Sequence, residues 1–74
     1  MADYYEFRVN FMRGNIDIGV YVTLPATEFE ADLETDGLTE KDSLSVIYWA
    51  KDTLSVDAHI DIYVPEWDWE IEGL

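Results

Sequence analysis

The chain has 74 residues, no cysteine, and 17 Asp and Glu against 4 Lys and Arg, a formal net charge of -13. That balance excludes direct nucleic-acid binding and docking on anionic membranes, because both need clustered Lys and Arg; without cysteine there is neither a disulfide framework nor a cysteine-ligated metal site. With 49% hydrophobic and 15% aromatic residues, the chain is too apolar for charge-driven disorder, and a single compact acidic domain over 1–74 is expected.

The first residues, Met1-Ala2-Asp3-Tyr4-Tyr5-Glu6, have no basic n-region or apolar h-region, so no secretory leader is expected. No apolar run approaches the ~20 residues of a membrane span. Together with the missing cysteines this points to a reducing, cytoplasmic setting.

Residues 4–12 alternate, with Tyr5, Phe7, Val9 and Phe11 on one face and Tyr4, Glu6, Arg8, Asn10 and Met12 on the other. In an extended chain, side chains at i and i+2 share a face. Arg13-Gly14-Asn15 supplies turn residues, and residues 16–24 alternate again, with Ile16, Ile18, Val20, Val22 and Leu24 opposite Asp17, Gly19, Tyr21 and Thr23. Two such runs around a Gly-Asn pair predict a β-hairpin. Pro25 ends the second strand. Thr27 to Glu30 fits a capping box, so a short helix is expected over about 28–35, laying Phe29 and Leu33 on the sheet and stopping at Gly37. Glu28, Glu30 and Asp32 suit the positive start of such a helix, whereas Glu34 and Asp36 oppose its negative end. That mismatch assigns these acids a role other than helix stability.

Residues 39–55 admit two readings. Thr39 to Asp42 resembles a second capping box, and Leu44, Ile47, Tyr48 and Leu54 fit a helical stripe that Lys51 interrupts. Against this, Ser43–Trp49 is rich in β-branched and aromatic residues, and Leu44, Val46 and Tyr48 alternate with Ser43, Ser45 and Ile47, which tips the reading to a strand. Residues 56–64 alternate too, with Val56, Ala58, Ile60, Ile62 and Val64 opposite Asp57, His59, Asp61 and Tyr63; Pro65 then breaks the ladder. Last, Glu66, Asp68, Glu70 and Glu72 alternate with Trp67, Trp69 and Ile71, predicting a carboxylate row backed by an apolar row. The expected fold class is α+β: an antiparallel β-sheet of three to five strands with one or two short helices on one face.

Little in the chain suggests catalysis. His59 would share a strand face with Asp57 and Asp61, but no serine stands in a nucleophile elbow, and there is no Gly-rich phosphate loop. The acids do not follow an EF-hand pattern. No catalytic residue, metal or cofactor is expected, and the chain reads as a binding protein, not an enzyme. Trp67 and Trp69 are read first as anchors of the last segment and second as interface residues.

The charge exceeds the magnitude of about 2–8 that solubility asks of a small domain, which favours ordered presentation to a basic partner. Carboxylates at i and i+2 repeat every ~6.7 Å, close to every second phosphate of a B-DNA strand at ~3.4 Å per charge. The partner-binding set read from the sequence is Glu66, Asp68, Glu70 and Glu72, then Glu28, Glu30, Asp32, Glu34 and Asp36, with Trp67 and Trp69.

The stretch Gly19 to Glu28, continuing to Leu33 and Gly37-Leu38, resembles the start of antirestriction (ArdA-type) proteins. Tyr21, Leu24, Pro25, Glu28, Leu33, Gly37 and Leu38 fit that family's pattern of a strand ending aromatic-x-x-Leu-Pro, a short acidic helix and a Gly-Leu pair. The resemblance spans about residues 6–50 and implies DNA mimicry against restriction enzymes. In size and charge the chain is also similar to phage-encoded anti-CRISPR proteins. The expectation is a phage or mobile-element inhibitor in an infected bacterial host, a monomer or weak homodimer. It would occupy the basic nucleic-acid site of a defence protein. The competing expectation is a small adaptor that binds through Trp67, Trp69, Tyr4, Tyr5 and Tyr63, with its acids serving solubility.

Overall fold

The computed structural model describes residues 3–29, 33 and 37–73. Strand β1 (Tyr4–Arg13) and strand β2 (Ile16–Pro25) form the expected antiparallel hairpin. At the turn Gly14 takes φ +58° and Asn15 stays at negative φ, the type II′ arrangement that matches the twist of flanking strands. The register runs from Arg13 opposite Ile16 to Tyr4 opposite Pro25 without a bulge. A third strand, β3 (Asp68–Gly73), pairs antiparallel with the other side of β1, giving the order β2-β1-β3. Since β2 and β3 both oppose β1, they run parallel to each other. One helix, α1 (Glu40–Ala58), carries the crossover between them, a split β-α-β unit.

Register explains the core. Phe11 lies between Ile18 and Trp69, Val9 between Val20 and Ile71, and Phe7 between Val22 and Gly73. These cross-strand rows put the apolar side of all three strands on one face. Helix α1 covers that face with Val46, Ala50 and Leu54, one turn apart, and with Ile47. Ile62, from the segment after α1, completes the buried cluster.

The strand readings of 43–49 and 56–64 are corrected by this helix of 19 residues. The alternation of Leu44, Val46 and Tyr48 is not a face: Val46 is fully buried, whereas Leu44 and Tyr48 are 41% and 51% exposed. Thr39 starts the helix, its Oγ1 accepting the Asp42 N–H at 3.1 Å. The cap and the burial of Val46 and Ile47 against the sheet outweigh their β-propensity. The helix runs on through Val56, Asp57 and Ala58 and ends at His59, which takes the left-handed conformation (φ 55°) and donates its N–H to the Leu54 carbonyl. Residues 60–63 join no ladder, and Val64–Glu66 is a turn of 3-10 helix. Thr39→Ala should cost about 1 kcal/mol, read as a lower urea midpoint at unchanged slope; an unchanged midpoint would mean the cap adds nothing.

The helix expected over 28–35 is corrected where its start is described. Thr27 lies inside a 3-10 turn, Ala26–Glu28, with no side-chain cap, and Phe29 is extended (φ -105°, ψ 137°). The turn ends at Phe29, whose extended backbone leaves the helical region, and it lacks the side-chain cap that Thr39 gives α1. Residues 30–32 and 34–36 lie outside the described residues. Phe29 still reaches the sheet, edge-on to Tyr5 at 5.6 Å and tilted against Phe7 at 5.9 Å.

Candidate partner-binding face

With α1 on one side, no described element covers the opposite side of the sheet. Strand alternation places Tyr4, Glu6, Arg8, Asn10 and Met12 of β1 there, with Asp17, Gly19, Tyr21 and Thr23 of β2. From β3, Asp68, Glu70 and Glu72 stand opposite Met12, Asn10 and Arg8. Among the described residues, five exposed carboxylates (Glu6, Asp17, Asp68, Glu70 and Glu72) therefore share this face with one cation, Arg8.

Arg8 does not neutralise its neighbour. Although it lies opposite Glu72, it makes no ion pair among the described residues, and its guanidinium leans toward β2. Its Nη2 and Nε lie 3.7 and 3.8 Å from the point a Cβ on Gly19 would occupy, and Asn10 Oδ1 lies 3.1 Å from that point. The missing side chain at Gly19 makes room for both. The β3 carboxylates are left open to solvent.

Of the expected row, Asp68, Glu70 and Glu72 hold together on β3, but Glu66 does not belong to it. Pro65 sits in the 3-10 turn that contains Glu66, so the extended spacing starts only after Trp67. Glu66 instead pairs with Arg13 at the hairpin tip (Nη1 to Oε2, 3.2 Å), and the same guanidinium lies 5.9 Å from the centre of the Trp67 ring. Both partners of the ion pair are more than half exposed, so screening limits its contribution to well under about 1 kcal/mol. Trp67 and Trp69 are half-buried and pack against the core, Trp69 beside Phe11. Glu28 is exposed in its 3-10 turn. Glu30, Asp32, Glu34 and Asp36 lie outside the described residues, so nothing places them relative to the open face.

The proposed alignment of His59 with Asp57 and Asp61 is corrected: Asp57 is in the last turn of α1, His59 is its C-cap and Asp61 is in the following loop. Among the described residues no three His, Asp or Glu side chains converge closely enough to hold a metal ion, and no helix is long and apolar enough to cross a membrane.

The partner-binding set read from the sequence left out Tyr21 and a group of exposed apolar side chains on α1. Tyr21 is on the open face beside Arg8, where only the pairing of β1 with β2 brings it. Leu44, Tyr48, Trp49 and Val56 are exposed on the solvent side of α1, and Trp49, Asp52, Thr53, Val56 and Asp57 line a shallow hollow there. A helical projection of 40–58 would have exposed this second group. No family model, curated protein or solved structure matches the chain.

Proposed function

We propose that this protein is a non-enzymatic inhibitor that presents its open sheet face as an acidic mimic of DNA. It occupies a basic nucleic-acid-binding site on a bacterial defence protein, a CRISPR effector or a restriction enzyme. The observation that supports the reading is the one-sided charge of that face, five carboxylates with the single arginine turned aside. Along β3 the three carboxylates repeat every ~6.7 Å, and Glu6 and Asp17 add charge toward the two ends of the neighbouring strands. The molecule is 37 Å long, and a duplex of that length carries roughly 22 phosphate charges at one per ~1.7 Å. Among the described residues the open face supplies five carboxylates against Arg8, a net charge of -4, so it matches a short part of that stretch, and the other acids of the chain add to the field around it. A site built from Lys and Arg for phosphates can pair with these carboxylates and release the same counterions. The field of the face steers the encounter.

The test is a pull-down from bacterial lysate with the wild type and with Asp68→Asn/Glu70→Gln/Glu72→Gln, followed by competition with duplex DNA. Recovery by the wild type alone of a nuclease or CRISPR complex that DNA releases is the expected result. A partner retained equally by both forms, or indifferent to DNA, would sink the mimicry reading. A second reading, an adaptor with an aromatic contact surface, is favoured by Tyr48 and Trp49 on α1; it predicts that Trp49→Ala abolishes capture while the neutralised variant retains it.

A further inference from the structure

Among the described residues the sheet has two unpaired edges, and they differ in kind. On β3, three of six residues are acidic, and charge is a common device that keeps an edge strand from pairing with another chain. On β2, ten residues carry one charge, Asp17, with no bulge and no proline before Pro25. No described strand pairs with its outer side. Its side chains at this edge are apolar and open: Ile16 is 54% and Tyr21 67% exposed, and Ile18 and Val20 are half-buried. A long, regular, weakly charged edge of this kind is a template for strand addition.

We propose that β2 is a self-association edge, at which two copies of the chain pair their β2 strands antiparallel about a two-fold axis at Val20 to form a six-stranded sheet. An antiparallel edge is self-complementary under such an axis, because each copy offers the same alternating N–H and C=O groups. Residues that face each other across the pair share a side of the sheet. A centre at Val20 therefore sets Ile16 against Leu24 and Ile18 against Val22 of the second copy on the helix side, extending the core. On the open side it sets Asp17 against Thr23 and Gly19 against Tyr21, so each tyrosine covers the glycine backbone of the other strand. The two Asp17 carboxylates are kept apart.

Charge selects β2 over β3. Pairing through β3 would bring two rows of Asp68, Glu70 and Glu72 to about 5 Å. Pairing through β2 puts five strand spacings between the rows, ~24 Å, about three Debye lengths at physiological salt. Both open faces lie on the same side of the six-stranded sheet, so the dimer doubles the acidic surface. The dimer does not depend on the mimicry reading, and the two respond to salt with opposite sign. Salt weakens attraction to a basic partner and relieves repulsion between two copies that each carry -13.

The experiment is sedimentation equilibrium of the full chain at low and high salt, with Tyr21→Glu, Ile16→Glu and, as a control for added charge, Tyr63→Glu, exposed in the loop that leads into β3 at the other edge. The expected result is a wild-type dimer that tightens as salt rises, at least about tenfold weaker association in both β2 variants, and none of that loss in the control. Tyr21 and Ile16 lie on opposite sides of the sheet and are each more than half exposed. Circular dichroism identifies any variant that fails to fold, leaving the other to decide. A wild type that stays monomeric up to about 1 mM protomer, or an equal loss in the control, overturns the proposal.

Discussion

Phe11→Ala leaves little folded protein at room temperature. Phe11 is fully buried in the central strand, between Ile18 on β2 and Trp69 on β3. Truncating a buried Phe costs about 3–5 kcal/mol, since the two edge strands and α1 cannot all close on the space left behind. Set against this, a domain of this length holds in total about 4–11 kcal/mol, at 0.05–0.15 kcal/mol per residue. The true figure belongs in the lower part of that range. A small domain buries a modest share of its surface, and 13 uncompensated negative charges repel one another in the compact state. The loss is therefore comparable to the whole stability. Urea titration followed by circular dichroism checks it, and added salt should restore part of the folded signal by screening the self-repulsion. A loss below about 1 kcal/mol would show that Phe11 is not the centre of the core.

Asp68→Asn/Glu70→Gln/Glu72→Gln weakens capture of the basic partner by about 100-fold at low salt. Three interfacial charge pairs at about 1 kcal/mol each give ~3 kcal/mol, between the values for exposed and for desolvated pairs, and 1.4 kcal/mol is a factor of ten. Most of the change should appear in the association rate, because these carboxylates steer the encounter from the open face. The dependence of log affinity on log salt should become shallower at the same time. The same substitutions should slightly raise the melting temperature, since they remove like charges from one short strand at no cost in burial. Binding titrations at several salt concentrations check the first effect and thermal unfolding the second. If affinity and its salt dependence both stay as in the wild type, the acidic face is not the contact, and the aromatics of α1 become the better candidate.

Where the physics is local, the chain is legible as written. The hairpin follows from period-two alternation and a Gly-Asn turn, and both are properties of neighbouring residues. The acidity is likewise plain from composition, and the proposal of a basic partner starts from it. Residues 43–58 are not settled locally, because Val46 and Ile47 fit either element by propensity; the Thr39 cap and the packing of Val46, Ala50 and Leu54 against the sheet make them a helix. Glu66 shows the same limit on a smaller scale. Its spacing promised a fourth member of the row, but the turn at Pro65 and an arginine from the far hairpin tip claim it. The candidate face is the furthest from local reading. Glu6, Asp17 and the β3 acids share one face only because β1 pairs with both other strands, and Arg8, opposite Glu72, leans into the room left at Gly19. Strand pairing joins residues as far as 66 positions apart, Phe7 and Gly73, and no spacing along the chain encodes which of them will be neighbours.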